Sequence, residues 1–109
     1  MEWWKTIKRT PIQRIEKCVA QYRMDCLGTS ELDFPYYNIK TYEDQDGRFR
    51  ARTDACYRRK SDGSTVVFDV DNMETEEDAV KQLLSIMLEF GKDPSFDEYE
   101  LEFLPHYRF

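Results

Sequence analysis

Residues 48–58 read Arg48-Phe49-Arg50-Ala51-Arg52-Thr53-Asp54-Ala55-Cys56-Tyr57-Arg58. Phe49, Ala51, Thr53, Ala55 and Tyr57 fall on one side of a two-residue period, and Arg48, Arg50, Arg52, Asp54 and Arg58 on the other. Successive side chains of a strand point to opposite faces, so the pattern predicts a strand with one face on a core and one in water. Turn chemistry brackets it. Asp44-Gln45-Asp46-Gly47 precedes the run and Ser61-Asp62-Gly63-Ser64 follows it, and Asp-Gly marks a tight reversal. Outward from these turns, Tyr36 to Glu43 is rich in Tyr, Ile and Thr, and Thr65 to Val70 sets Val66, Phe68 and Val70 on one side. The middle of the chain is expected to be a three-stranded antiparallel meander.

Helices are expected on both flanks. Thr10-Pro11-Ile12-Gln13 combines an N-cap, a Pro at the first helical position and a Gln suited to a capping box. Ile12, Ile15, Val19, Tyr22 and Cys26 follow at helical spacing and Gly28 supplies a stop, so residues 11–27 are predicted helical and 28–35 a loop. Thr75-Glu76-Glu77-Asp78 opens the second helix with a cap and three acids beside the positive end of the macrodipole. Ala79, Val80, Leu83, Leu84, Met87 and Leu88 form its apolar stripe, and Gly91 ends it. Tyr99, Leu101 and Phe103 then alternate with Glu98, Glu100 and Glu102, a final strand closed by Pro105. The expected fold class is α+β, in the order α-β-β-β-α-β, an antiparallel sheet with two helices packed on one face. A single domain spans 1–109, with a core over 10–104 and tails at 1–9 and 105–109.

Composition excludes several classes. The 109 residues are 40% hydrophobic and 15% aromatic, too apolar for disorder and of single-domain length. No apolar run approaches the roughly 20 residues needed to span a bilayer, and Met1-Glu2-Trp3-Trp4-Lys5 begins no signal peptide. Cys18, Cys26 and Cys56 are an odd set without C-x-x-C. They suggest neither a disulfide framework nor a zinc site, and favour a reducing, cytoplasmic setting. Cys18 and Cys26 are expected to be buried on the first helix, and Cys56, on the arginine face, to be exposed.

The net charge of −6 is uneven. Residues 1–30 carry six basic and three acidic groups, 31–60 seven and six, and 61–109 three and thirteen. The Arg48, Arg50, Arg52 row is suited to nucleic acid or an acidic protein; the alternative is that Glu98, Glu100 and Glu102 lie beside it and pair across strands. The acids of residues 69–78 do not make an EF-hand loop, because Glu74 and Val80 stand where Gly and Glu are required. Helix capping accounts for them. The sole histidine, His106, sits in the terminal tail, and nucleophile elbow, P-loop, dinucleotide and zincin motifs are missing. The reading is non-catalytic, with no cofactor, metal or small-molecule substrate.

The order of elements over residues 10–91 resembles the double-stranded RNA-binding domain. Thr10-Pro11-Ile12-Gln13-Arg14-Ile15-Glu16 is similar to that family's first-helix start, Pro35-Tyr36-Tyr37-Asn38-Ile39 to its entry into the first strand, and Thr75 with Ala79 to its second-helix cap. The family clamps phosphates with a Lys-Lys-x-Ala-Lys helix start and reads the minor groove with Gly-Pro-x-His in its first hairpin. Here those places hold Glu76-Glu77-Asp78-Ala79-Val80 and Glu43-Asp44-Gln45-Asp46-Gly47. Gln13 and Glu16, with Arg14 and Lys17 nearby, are the plausible contacts that remain. The resemblance therefore implies the fold with its RNA function lost, since acids oppose counterion release.

Three functions remain as expectations. The first is a protein-binding adaptor or regulator, with a place in a nucleic-acid-processing complex as one setting for it. It would be anchored by aromatics outside the periodic segments: Trp3, Trp4, Phe34, Tyr36, Tyr107 and Phe109. The second is an acidic inhibitor that mimics nucleic acid through Glu98, Glu100, Glu102 and the helix-start acids. The third is double-stranded RNA binding through the first helix and the arginine strand. A homodimer through the first strand, the last strand or the second helix would use the same surfaces.

Overall fold

The computed structural model describes residues 3–7, 15–25, 36–105 and 109. Five strands, β1 (Glu16–Asp25), β2 (Tyr36–Asp44), β3 (Phe49–Arg59), β4 (Thr65–Met73) and β5 (Tyr99–Phe103), accompany one long helix, α1 (Glu76–Gly91). Short 3-10 turns occur at Trp3–Thr6 and Phe96–Glu98. The class is α+β with one antiparallel sheet, in the order β1-β2-β3-β4 and with β5 paired to β3. β2, β3 and β4 occupy the expected places. The Asp44 carboxylate accepts from the N–H groups of Asp46 and Arg48, both at 2.9 Å, and Gly47 supplies the left-handed φ of +78° that the reversal requires. Thr75 caps α1, its hydroxyl accepting from the Asp78 N–H at 3.0 Å.

The first expected helix is overturned. Residues 16–25 of the predicted 11–27 form β1, paired antiparallel with β2 from Glu16↔Asp44 to Asp25↔Tyr36. Residues 11–14 and 26–27 lie outside the described residues, as does the expected loop at 28–35. Accordingly one helix, not two, packs on the sheet among the described residues, and a strand stands where the α-β-β-β-α order needs its first helix. The apolar spacing Ile15, Val19, Tyr22 is helical, yet Ala20, Tyr22 and Met24 also satisfy a two-residue period. Pairing with β2 decides between them, a tertiary choice that local propensity does not contain.

A bulge conceals that strand further. Cys18 faces Tyr42 and Ala20 faces Thr41, leaving Val19 as an extra residue. Cys18 therefore shares the face of Tyr42, whereas Ala20, Tyr22 and Met24 share the face of Thr41, Ile39 and Tyr37. The parity of the strand reverses at residue 19.

The long strand β3 organises the sheet. β4 runs along one of its edges. Its other edge is divided: β2 pairs Phe49–Thr53 and β5 pairs Ala55–Arg59. Asp54 stands at the division. Its carboxylate accepts from the Asn38 backbone N–H at 2.9 Å and from Asn38 Nδ2 at 3.0 Å, while its carbonyl accepts from the Leu104 N–H at 2.7 Å. The last strand thus joins the main sheet, end to end with β2.

α1 covers one face. Its Ala79, Leu83 and Met87 pack on Tyr37, Ile39, Ala51, Ala55, Tyr57, Phe68 and Val70, an i, i+4 stripe against the inward positions of three strands. Tyr57, Phe68, Phe90, Phe96 and Tyr99 close one end of this core, with ring centroids 5.0–5.9 Å apart.

Candidate partner-binding surface

The face opposite α1 carries the charged rows. β5 stands beside residues 55–59, so its glutamates, and Glu98 just before it, meet the C-terminal arginines of β3. Arg58 Nη2 lies 2.9 Å from Glu102 and 3.8 Å from Glu100, and Arg59 Nη2 lies 3.8 Å from Glu98. The expected row of Arg48, Arg50 and Arg52 finds its partners elsewhere. Arg50 grips Asp69 with two guanidinium nitrogens and reaches Glu16 at 3.0 Å. Arg52 Nε lies 3.8 Å from Asp69. Arg48 donates to the Asn72 side chain and carbonyl and lies 3.9 Å from Glu74. The hydrogen bonds to Asp69, ahead of an opposing desolvation effect, raise the Arg50 pKa further above its ordinary value.

The terminal aromatics divide. Trp4 and Phe109 are buried, at 7% and 8% exposure. Gln45 Nε2 donates to the carbonyls of Trp4 and Ile7 at 3.0 and 2.7 Å, and Lys5 meets Glu43 at 2.6 Å. The Tyr42 hydroxyl donates to the Phe109 carbonyl at 3.1 Å, and Lys40 Nζ sits 4.3 Å from the Phe109 ring centroid. Burial, ahead of the surrounding charges, raises the pKa of Tyr42. Trp3 by contrast is 75% exposed. Phe34, Tyr107 and His106 lie outside the described residues, and of Tyr36 only the backbone is described.

Both described cysteines reverse their expected environments. Cys56 is on the arginine face but buried, because its strand is flanked on both sides, by Val67 of β4 and Glu102 of β5. Cys18 is exposed, since its segment is an outer strand rather than a helix on the core.

An apolar depression lies between β1 and the start of α1. It has a volume of about 350 Å³ and is lined by Tyr22, Met24, Val80, Glu76, Glu77 and Lys81. Tyr22 projects from β1 and its hydroxyl donates to Glu76 Oε1 at 3.1 Å. The Thr41 hydroxyl donates to Glu76 Oε2 at 2.6 Å. Those two bonds fix the Glu76 carboxylate at the mouth of the groove, and the bond to Glu76 is the main cause that raises the Tyr22 pKa. Glu77 and Lys81 form an exposed i, i+4 pair at 3.6 Å. Val80, Leu84 and Leu88 follow one another at i, i+4 along the same flank of α1, with Leu88 exposed.

Sequence reasoning missed Tyr22, Met24 and Glu76 as a group, because Tyr22 was assigned to a helix and Glu76 to a cap. Among the described residues no three His, Cys, Asp or Glu side chains form a group able to hold a metal ion, and no helix is long and apolar enough to cross a membrane. No family model, curated protein or solved structure matches the chain.

Proposed function

We propose that the chain is a non-catalytic protein-binding module of a reducing, cytoplasmic setting, acting as an adaptor or regulator through the β1–α1 side of the fold. One observation carries this reading. The arginine and glutamate rows of the sheet, which would serve nucleic-acid binding or nucleic-acid mimicry, are engaged within the fold, Arg48, Arg50 and Arg52 with Asn72, Glu74, Glu16 and Asp69, and Glu98, Glu100 and Glu102 with Arg59 and Arg58. A ligand that used either row would have to replace contacts the sheet already makes, whereas the groove beside Tyr22 presents apolar surface to solvent.

Affinity capture with chemical cross-linking tests the reading, using the full chain, Val80→Glu and the double variant Glu100→Gln/Glu102→Gln. The expected result is a cross-linked protein that is lost with Val80→Glu and kept by the double variant. Loss with the double variant alone would return the acidic-mimic reading. Co-elution with an RNA duplex of about 20 base pairs that weakens steeply with salt would return the RNA-binding one.

A further inference from the structure

Resting on that reading, we infer that the β1–α1 groove takes an extended segment of a partner protein that adds as a strand to the outer edge of β1, with an apolar side chain followed two residues later by a lysine or arginine. Three features of the site specify the three parts of this ligand.

The backbone comes first. Among the described residues β1 is the last strand of the sheet, and none pairs with its outer edge. β1 runs for ten residues, Glu16–Asp25, and the edge of a sheet takes a further strand in either direction through main-chain donors and acceptors. A helix laid in the groove would fill the apolar space but satisfy none of those groups.

The apolar position follows from the floor. Beyond the Val19 bulge, Ala20, Tyr22 and Met24 face the α1 side of the sheet, and Met24 and Val80 pack against the core while still lining the groove. Alternate side chains of an added strand would stand on this face beside Tyr22 and Met24, under the flank of Val80.

The cationic position follows from the rim and from spacing. Glu76 is held at the mouth by Tyr22 and Thr41, with Glu77 next to it and Val80 and Lys81 one turn further on. The four helical residues from Glu76 to Val80 advance about 6 Å and two strand residues about 6.8 Å. A strand following α1 therefore sets one side chain against Val80 and the next on that face against Glu76 and Glu77. Two carboxylates against one ammonium leave the rim one negative charge in excess, and a cation is the complement. A second copy of this chain is a poorer fit: the same face of its β1 would present Ala20, Tyr22 and Met24, with Arg23 on the opposite face.

The probes are synthetic peptides of about ten residues, alternating Thr and Val, with Leu-x-Lys, Leu-x-Gln or Leu-x-Glu at the centre. Binding to the isotope-labelled full chain is followed by amide chemical shifts and by fluorescence anisotropy. Leu-x-Lys is expected to bind at least about tenfold more tightly than Leu-x-Glu, with shifts concentrated in residues 16–25 and 76–81. Val80→Glu should abolish binding. The exposed Glu77→Lys, which leaves the core untouched, should reverse the preference. Equal affinity for the three peptides, shifts centred elsewhere, or indifference to Glu77→Lys overturns the inference. So does a dimer by light scattering that Val80→Glu dissociates while no peptide binds, which would make a second copy the occupant. If peptides fail but the captured protein still depends on Val80, the strand-addition model falls and the protein-binding reading stands. If capture is also indifferent to Val80, both fall.

Discussion

Asp54 is the point at which one edge of β3 passes from β2 to β5, and its substitution tests whether that division holds the sheet together. The Asp54 carboxylate makes two bonds to Asn38, at 2.9 Å to the backbone N–H and 3.0 Å to Nδ2, in a residue only 9% exposed. Hydrogen bonds to charged groups contribute about 1.5–3 kcal/mol each. In Asp54→Ala the Asn38 side-chain amide can turn toward water, but its backbone N–H loses its acceptor. The expected loss is therefore about 3 kcal/mol rather than the sum of two full bonds. Asp54→Asn keeps an oxygen for the backbone N–H, and a flipped Asn38 amide can accept from the new NH2, so that variant should lose about 1 kcal/mol. In urea, with a slope of about 1.5–2 kcal/mol per molar for a chain of this size, the midpoints should fall by about 1.5–2 M and about 0.5 M. Hydrogen exchange separates the local effect from the global one. The Asn38 amide should lose protection in Asp54→Ala, while the Leu104 amide, bonded to the unchanged Asp54 carbonyl at 2.7 Å, should be affected only through global stability. Equal costs for the two variants would refute the hydrogen-bond account, and a loss below about 0.5 kcal/mol in Asp54→Ala would refute the locking role altogether.

Leu83 is fully buried between α1 and the sheet, so Leu83→Ala should destabilise by about 3–4 kcal/mol in urea melts; a loss under about 1 kcal/mol would mean α1 does not pack there. Arg50→Lys should behave almost as badly as Arg50→Ala, each losing about 2 kcal/mol, because an ammonium cannot span both Asp69 oxygens and Glu16 together; full rescue by Lys would sink this account. Tyr22 and Tyr42 both have raised pKa values in the folded chain. A raised folded pKa holds the proton more tightly, so their contribution is fully present below the ordinary tyrosine value of about 10 and is lost as pH climbs through the folded values. The urea midpoint of the wild type should fall in that alkaline window more than that of Tyr42→Phe. Asp62 and Asp93, each held low chiefly by hydrogen bonds from Ser64 or Ser95, act in the opposite sense: their contribution is present above the ordinary carboxylate range and lost as pH falls through the lowered values, which carboxyl titration by NMR would follow.

What the sequence disclosed depended on whether the information was local. The β2–β3–β4 meander and α1 were legible because Asp-Gly turns, clean alternation and a Thr cap with three acids each act within a few residues. β1 was not. Its apolar residues fit two periods at once, and the Val19 bulge reverses its parity halfway, so neither period is clean. The ion pairs failed for a different reason. Alternation correctly assigned Arg50 and Glu102 to one face, but position along β3 decided their partners, and β5 reaches only residues 55–59. Cys56 shows the same limit, since residues on the outward face are exposed only where no neighbouring element encloses them.

The placement of β5 also bears on function. By sharing an edge with β2, it sets the acidic row against Arg58 and Arg59, and the Asp69 and Glu16 carboxylates are left to hold Arg50. Charge that is so uneven along the sequence is thereby largely matched across the sheet. Such pairs are individually weak at the surface, but each one removes a cation or an anion from the set that could meet a nucleic acid at low cost. The β1 side differs because α1 covers the inner strands and stops short of the edge: Leu83 is fully buried, whereas Tyr22, on the edge strand, is 39% exposed. A wider helical layer, with the first expected helix beside α1, would have sealed that strip. With a strand in its place, the sheet gains an edge and a half-covered apolar groove from the same residues, and the proposed recognition by strand addition rests on that exchange.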